Sequence, residues 1–365
     1  MADDLAVRFG SLWRLVALSV VAAVLVGLLV AASAAGMTAT QDRKVVRHFP
    51  GGAVGVLAIE GSRIAFDVGS RVLVWNVRTG KTVQVSGRKT AELVGAGAGV
   101  SQLALAGSRV AWLVYNFGQT EGDDYLFTSS TVAPKERRVA SEVRFGYYCA
   151  GRSARCAGKW LGGLVGSGNF IAANRWTTDG TGVTAGQLDL LDGTKLKEVA
   201  TGSNTLLAVA ADRGRVAVLH ADGSVALYST SGKLLLTVAT PDAEAVALKG
   251  NNLLVATNSL PFQLDLYSAR TGALRQTFDA HGVEPPRNLD VQGNIAIYTT
   301  GAELVLHAVN LSTGKDRVIA EPHGGVNSSL LDHAGLAYTG HRFSRNGGNG
   351  WLVFEPFAKV AAAVG

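Results

Sequence analysis

From residue 43 onward, apolar and polar positions alternate in short runs, and most runs stop at a glycine. Val72-Leu73-Val74-Trp75-Asn76-Val77, Val225-Ala226-Leu227-Tyr228, Leu264-Asp265-Leu266-Tyr267 and Leu304-Val305-Leu306-His307 show the pattern. A period of two marks a strand with one buried face. The stretch 213-RGRVAVLHADGSVALYSTSGKLLLTV-238 joins three such runs through tight turns at Asp222-Gly223 and Ser231-Gly232. Glycine at a turn tip supplies the positive φ that a tight hairpin needs. No sustained helical stripe follows residue 42, so the body is expected to be all-β.

The runs recur. Arg63-Ile64-Ala65, Arg109-Val110-Ala111, Phe170-Ile171-Ala172, Arg215-Val216-Ala217, Leu254-Val255-Ala256, Asn294-Ile295-Ala296 and Gly335-Leu336-Ala337 each start a strand after a turn. The alanines are spaced by 46, 61, 45, 39, 40 and 41 residues. A second marker stays in phase with them: Thr79-Gly80, Asp192-Gly193, Ser231-Gly232, Thr271-Gly272 and Thr313-Gly314. Four strands per period of about 40–45 residues is the signature of a β-propeller blade. The expected fold is a seven-bladed β-propeller of four-stranded antiparallel blades spanning 43–365. The irregular 140–165 region leaves six or eight blades open. The last unit, Ser328 to Val364, ends in 359-KVAAAV-364, a poor outer strand. The segment 43-RKVVRHF-49 is expected to pair there and fasten the ring.

At the level of its repeats the chain resembles WD-repeat and quinoprotein-like propellers, in 71-RVLVWNVRTGKTVQV-85 and 222-DGSVALYSTSGKLLLTV-238. The likeness covers most of 53–364. Where WD repeats place Trp-Asp, this chain has Trp75-Asn76, Tyr228-Ser229, Tyr267-Ser268 and His307-Ala308. Where quinoprotein repeats place a Trp after the Gly-Lys turn, it has Gln84, Leu236, Gln276 and Val318. The resemblance therefore implies the fold and brings over no activity.

The N-terminus breaks the pattern. Residues 15-LVALSVVAAVLVGLLVAASAAG-36 carry no charge and no polar face. At about 1.5 Å per residue they can span a hydrocarbon core of about 30 Å as a helix. Residues 1–42 are thus read as a targeting segment and short linker, either an uncleaved signal anchor or a signal peptide cut near Ala34, where Ala32-Ser33-Ala34 fits the cleavage pattern. The two cysteines, Cys149 and Cys156, share one polar loop and are expected to form a small disulfide, which favours an extracytoplasmic body. Net charge is +6, with Lys and Arg scattered rather than clustered along the chain, so nucleic acid is not an expected partner.

Candidate chemistry is sought where the plain repeat gains length. Against the 213–238 copy, 116-NFGQTEGDD-124, 177-TTDGTGVTAG-186 and 341-HRFSRNGGNG-350 read as long loops on one rim, with the cysteine loop opening beside them. Long loops on a rigid scaffold are common binding sites. Glu121, Asp123 and Asp124 offer oxygen ligands for Ca²⁺. His341, Arg342 and Arg345 offer anion contacts. His281 and His323 lie in connections between blades. Trp160 and Trp176 offer rings on which a sugar can stack, and beside strands such rings more often serve packing. No nucleophile elbow and no phosphate-binding glycine loop before a helix is present. The sequence predicts no catalytic residue, no metal site and no resident cofactor, although Ca²⁺ or a quinone fits such scaffolds. The expected function is a binding or scaffold module for a protein, peptide or cell-envelope ligand. The alternative is a propeller enzyme, either a quinone-dependent dehydrogenase or a hydrolase or lyase acting on glycans or peptides.

Overall fold

The computed structural model describes residues 43–365 except 51, 97, 118–120, 146–156, 203–205, 241, 301–303, 322–324 and 343–348. The segment 15–36 and the Cys149–Cys156 loop lie outside the described residues. Among the described residues, no helix is long and apolar enough to cross a membrane.

The body is a succession of antiparallel four-stranded sheets. β2 (Val54–Glu60), β3 (Arg63–Val68), β4 (Arg71–Asn76) and β5 (Thr82–Gln84) form one. β6 (Gly99–Ala106), β7 (Arg109–Phe117), β8 (Glu121–Ser130) and β9 (Arg137–Phe145) follow. They continue without a break into β10 (Ala157–Ser167), β11 (Phe170–Asp179), β12 (Val183–Asp192) and β13 (Lys195–Gly202). Then come β14 (Leu206–Asp212) to β17 (Leu234–Val238) through β15 (Arg215–His220) and β16 (Val225–Ser229). β18 (Ala243–Lys249), β19 (Asn252–Thr257), β20 (Gln263–Ser268) and β21 (Leu274–Asp279) make the next sheet. β22 (Arg287–Gln292), β23 (Ile295–Thr299), β24 (Leu306–Asn310) and β25 (Asp316–Ala320) make another. The last holds β26 (Ser328–Asp332), β27 (Gly335–Arg342), β28 (Asn349–Pro356) and, as its outer strand, β1 (Val45–Phe49).

Each repeat alanine sits in the second strand of its sheet. Ala65, Ala111, Ala172, Ala217, Ala256, Ala296 and Ala337 are all buried. A small side chain there lets adjacent sheets approach face to face. The flanking Ile64, Val110, Ile171, Val216, Val255, Ile297 and Leu336 are fully covered. Burying each such side chain contributes about 1.5–3 kcal/mol. The first strands pack on one another in the order β2, β6, β10, β14, β18, β22, β26, and β26 packs back on β2.

The N-terminal strand closes the last sheet as expected. Val45 faces Phe354 and Phe49 faces Gly350 across the β1–β28 ladder. Arg47 reaches the neighbouring sheet, donating from Nη1 to Thr82 Oγ1 at 2.6 Å and lying 4.4 Å over the Trp75 ring. The same junction repeats elsewhere. The β16–β17 turn rests on β13, where a Cβ on Gly232, at φ 83°, would collide with the Val199 carbonyl.

Two segments differ from expectation. α1 (Arg88–Gly95) is helical, and so is α2 (Phe357–Val364), which covers 359–364. α1 starts at Gly87 with no capping side chain of its own. Glu136 supplies the cap from the β8–β9 turn, accepting from Gly87 N at 2.8 Å, Lys89 N at 3.0 Å and Thr90 Oγ1 at 2.6 Å. The Trp112 indole then donates to Thr90 Oγ1 at 2.9 Å. A carboxylate 46 residues away in sequence is invisible to a local reading of the helix start. α2 buries Val360 and Val364 against the last two sheets, a use that alanine serves well in a helix and poorly in a strand.

Candidate binding face

The segments 116–124 and 177–186 are, where described, mostly strand. β7 runs to Phe117 and β8 begins at Glu121; β11 runs to Asp179 and β12 begins at Val183; β27 runs to Arg342 and β28 begins at Asn349. The expectation of long loops is corrected for 116–124 and 177–186; of 341–350, residues 343–348 lie outside the described residues. Strands β7, β8, β10, β11 and β12 contain 9, 10, 11, 10 and 10 residues, against 6, 5 and 5 for β15, β16 and β17. The additions raise the sheets instead of looping away from them.

Height lets the two sheets join. β9 pairs with β10 through Phe145–Ala157 and Arg144–Gly158. Gly158 adopts φ 135°, and a Cβ there would stand 2.6 Å from the Val143 carbonyl, so this crossing requires glycine. Gly122 makes room in turn for the Arg144 side chain, whose Nε would lie 2.7 Å from an added Cβ.

Arg144 is fully buried between the joined sheets. Its Nη1 lies 2.7 Å from Asp124 Oδ1, and its guanidinium stands 4.0 Å over Trp160 and 4.5 Å over Tyr115. Leu161 N donates to the other Asp124 oxygen at 3.0 Å. Burial pushes the Asp124 carboxyl up from its usual range, and Arg144 opposes that shift. Trp160 and Trp176 stack with centroids 6.1 Å apart, confirming that they pack on each other. Beside them, Arg175 grips Asp189 with two bonds of 2.8 and 3.0 Å. A cleft of about 180 Å³ opens there between Lys159, Arg175, Gln187 and Thr201.

The predicted residues separate on this frame. Glu121, exposed, and Asp123, half-buried, share one face of β8, and Asp124 is buried on the other. They do not converge as a Ca²⁺ cage. Among the described residues, no group of three or more His, Cys, Asp or Glu is placed to hold a metal. His341 and Arg342 lie in β27, opposite Gly350 and Asn349. Their side chains, and Arg345 and His323 entirely, lie outside the described residues.

His281 finds partners the sequence did not suggest. His307 Nδ1 lies 2.8 Å from Asp316 Oδ1, Tyr298 donates to Asp316 Oδ2 at 2.7 Å, and His281 Nε2 stands 3.8 Å from the same oxygen. The His281 and His307 rings stack at 5.6 Å. Burial and the Asp316 carboxylate hold the Tyr298 hydroxyl well above its usual range. These residues come from four segments, so no local spacing links them. Asp316 is saturated by its neighbours, which makes the cluster a clasp for the β23–β25 face.

A second cavity lies along the inner strands. It encloses about 230 Å³ and is lined mainly by apolar residues such as Leu57, Leu105 and Val246, with Glu60, Lys249, Asp290 and Asp332 at one mouth. Burial raises the Asp290 carboxyl to about 6, against donation from Leu331 N and Val291 N.

No protein-family profile and no curated protein matches the sequence. Solved structures do. A chain of the mitotic checkpoint complex superposes with a TM-score of 0.53 at 16% identity, covering 87% of this chain and 95% of that one. Sqt1 from Saccharomyces cerevisiae gives 0.49 at 10% identity over 86% and 98%. BamB from Moraxella catarrhalis gives 0.43 at 12% identity over 83% of each. At these identities the likeness concerns the fold alone. With its repeated four-stranded sheets, the chain has a β-propeller fold.

Proposed function

We propose that the protein is a seven-bladed, membrane-attached or secreted propeller whose task is to hold a protein or peptide ligand outside the cytoplasm. The observation that carries the reading is the joined β6–β13 sheet. A propeller whose only need is stability gains nothing from crossing two blades and burying an ion pair above the repeat layer. Rigid, raised strands present side chains at fixed spacing, which suits recognition. Exposed Phe145, at 60%, and half-exposed Val143 stand at the crossing beside charged Glu121 and Lys159. An aromatic anchor ringed by charge is the usual composition of a protein-binding centre.

The test has two stages. Crosslinking of the full chain in its own cells identifies the partner. The purified partner is then titrated against wild type and Phe145→Ala/Lys159→Ala. Loss of at least about tenfold in affinity is expected from removing a central anchor. Unchanged affinity, with the variant folded by circular dichroism, overturns the reading.

A further inference from the structure

Charge that is scattered along the sequence is sorted in space. In each unit the turn joining first to second strand lies at one end, as does the turn joining third to fourth in all but the last, whose fourth strand is β1, and the other connections lie at the opposite end. The first end carries exposed Arg78, Lys81, Lys195, Arg213, Lys233 and Arg270. The second carries exposed Glu121, Asp179, Asp222, Asp242, Glu244 and Glu321. Among the described residues, Arg71, Arg88, Lys89, Lys159 and Arg287 are exceptions at the acidic end, and Asp192 at the basic one. The acids at the basic end's inner mouth are engaged: Asp212 and Asp332 are buried with Lys249 Nζ 4.0 and 3.2 Å from their carboxylates, half-buried Glu60 pairs with Arg63 at 2.7 Å, and Asp290 accepts from Leu331 N at 2.7 Å. Among the described residues, charge is therefore sorted along the direction of the inner strands.

The basic end also has a cleft. It encloses about 470 Å³ and brings Arg213, Lys249 and Arg275 together with Asn251, Asn252 and Asn294. Arg275 Nη1 is held by Asn252 Oδ1 at 2.8 Å, and Asn252 Nδ2 donates to the Gly293 carbonyl at 2.8 Å. Arg213 has φ 47°. The equivalent turn position in neighbouring sheets is glycine: Gly61, Gly107, Gly168, Gly250 and Gly293, all at φ between 54° and 61°. Only glycine adopts this conformation freely. An arginine kept where the fold prefers glycine points to a use for its side chain.

We propose that this end of the propeller is a docking surface for anionic phospholipid, with the Arg213–Lys249–Arg275 cleft as the subsite for a headgroup phosphate. Guanidinium groups bind phosphate in bidentate fashion and an ammonium adds a point charge. The exposed basic turns around the cleft add a diffuse attraction to an anionic leaflet, about fivefold per residue close to the surface. The N-terminal strand supports the orientation. Lys44, paired with Glu355 at 3.4 Å, marks the basic end of β1, and only 37–43 separate it in sequence from the apolar stretch 15–36. The inference rests on the proposed membrane attachment and gives that attachment a face.

The test uses the full chain reconstituted with vesicles of phosphatidylcholine, with or without phosphatidylglycerol. A photo-crosslinking residue replaces Ser231, at the basic end, or Ala221, at the acidic end of the same sheet. Crosslinks to phosphatidylglycerol at position 231 are expected to exceed those at 221 by at least about fivefold, corresponding to one basic contact. The variants Arg78→Glu/Lys81→Glu/Lys233→Glu/Arg270→Glu and Arg213→Gly are expected to lower the yield at 231. Arg213→Gly relaxes the turn, so a purely structural role predicts no loss. Equal yields at 231 and 221 overturn the proposal, whether or not the protein floats with the vesicles. Flotation resistant to carbonate tests attachment separately, and its failure alongside a strong crosslink at 231 removes only the anchor. Binding of inorganic phosphate in detergent without any lipid crosslink assigns the cleft to a soluble anion and overturns the lipid source.

Discussion

The β14–β17 sheet and the joined β6–β13 sheet are built from the same repeat and solve different problems. In β14–β17 the layer between neighbours is apolar throughout, with Val216, Val218, Val225 and Leu227 buried. Its strands end as soon as that layer is complete. In β6–β13 the same layer exists, in Val110, Leu126 and Ile171, and the strands then continue past it. Above the layer the packing is aromatic and charged, with Arg144 between Tyr115 and Trp160. The difference teaches that the apolar layer is the ring's requirement, and everything above it is added. It also explains why growth occurs only at one end. At the other end, third-to-fourth strand turns such as that of Gly232 lie against the preceding sheet and cannot lengthen without displacing it.

Removing Arg144 is the hardest test of that division. Arg144→Met leaves Asp124 buried beside a thioether, and a loss of about 3–5 kcal/mol is expected in urea unfolding. Adding Asp124→Leu is expected to restore most of the loss, because the uncompensated charge goes with it. If the double variant is no better than the single one, the extension is held by something else.

A second buried carboxylate sharpens the contrast. Asp67, in the plain β2–β5 sheet, is held by backbone donation from Val56 N at 2.7 Å, and burial raises it to about 6. Its folded value exceeds the ordinary unfolded one, so the folded protein keeps the proton longer. Stability from this group is present below about pH 4 and declines as pH rises to about 6, by at most about 3 kcal/mol. Asp67→Asn is expected to flatten that part of the stability–pH curve, read from urea midpoints. A wild-type slope that the variant leaves intact would refute the assignment.

The smallest effects come from one turn position in two sheets. Gly193, at φ 60°, has open space around it, whereas Gly232, at φ 83°, presses on Val199. Gly193→Ala is expected to cost about 1 kcal/mol for its backbone alone, and Gly232→Ala about 2–3 kcal/mol once crowding is added. Thermal melts of the two variants check the order. Equal losses would mean that the turn of β14–β17 does not bear on β13.

Much of the frame was legible in the sequence because the repeat is written in local terms. The alanine of each second strand and the glycine of each hairpin turn are fixed by their immediate surroundings, so spacing alone locates them. The pairing of 43–49 with the last sheet followed from a missing outer strand. What escaped were features decided between distant segments. Glycine and polar residues in 116–124 and 177–186 read as loop, yet Gly122 is there to admit Arg144, and Asp124 is polar because Arg144 faces it. The α1 start gave no signal because its cap comes from Glu136. His281 was singled out, but His307, Tyr298 and Asp316 were not, since each belongs to a different strand. The polarity of the two ends is likewise hidden in a linear charge count and emerges only when turns are sorted by the end they occupy.

The β1–β28 ladder has a consequence for how the chain is made. Val45 leaves the ribosome some 309 residues ahead of its partner Phe354. Until then β1 has no ladder to join and the last sheet has an open edge. Ring closure therefore waits for β28 and has a very long loop to close, slow by nature and exposed to mispairing. Synthesis halted a few residues before β28 would yield a chain with most of its sheets formed and its clasp undone.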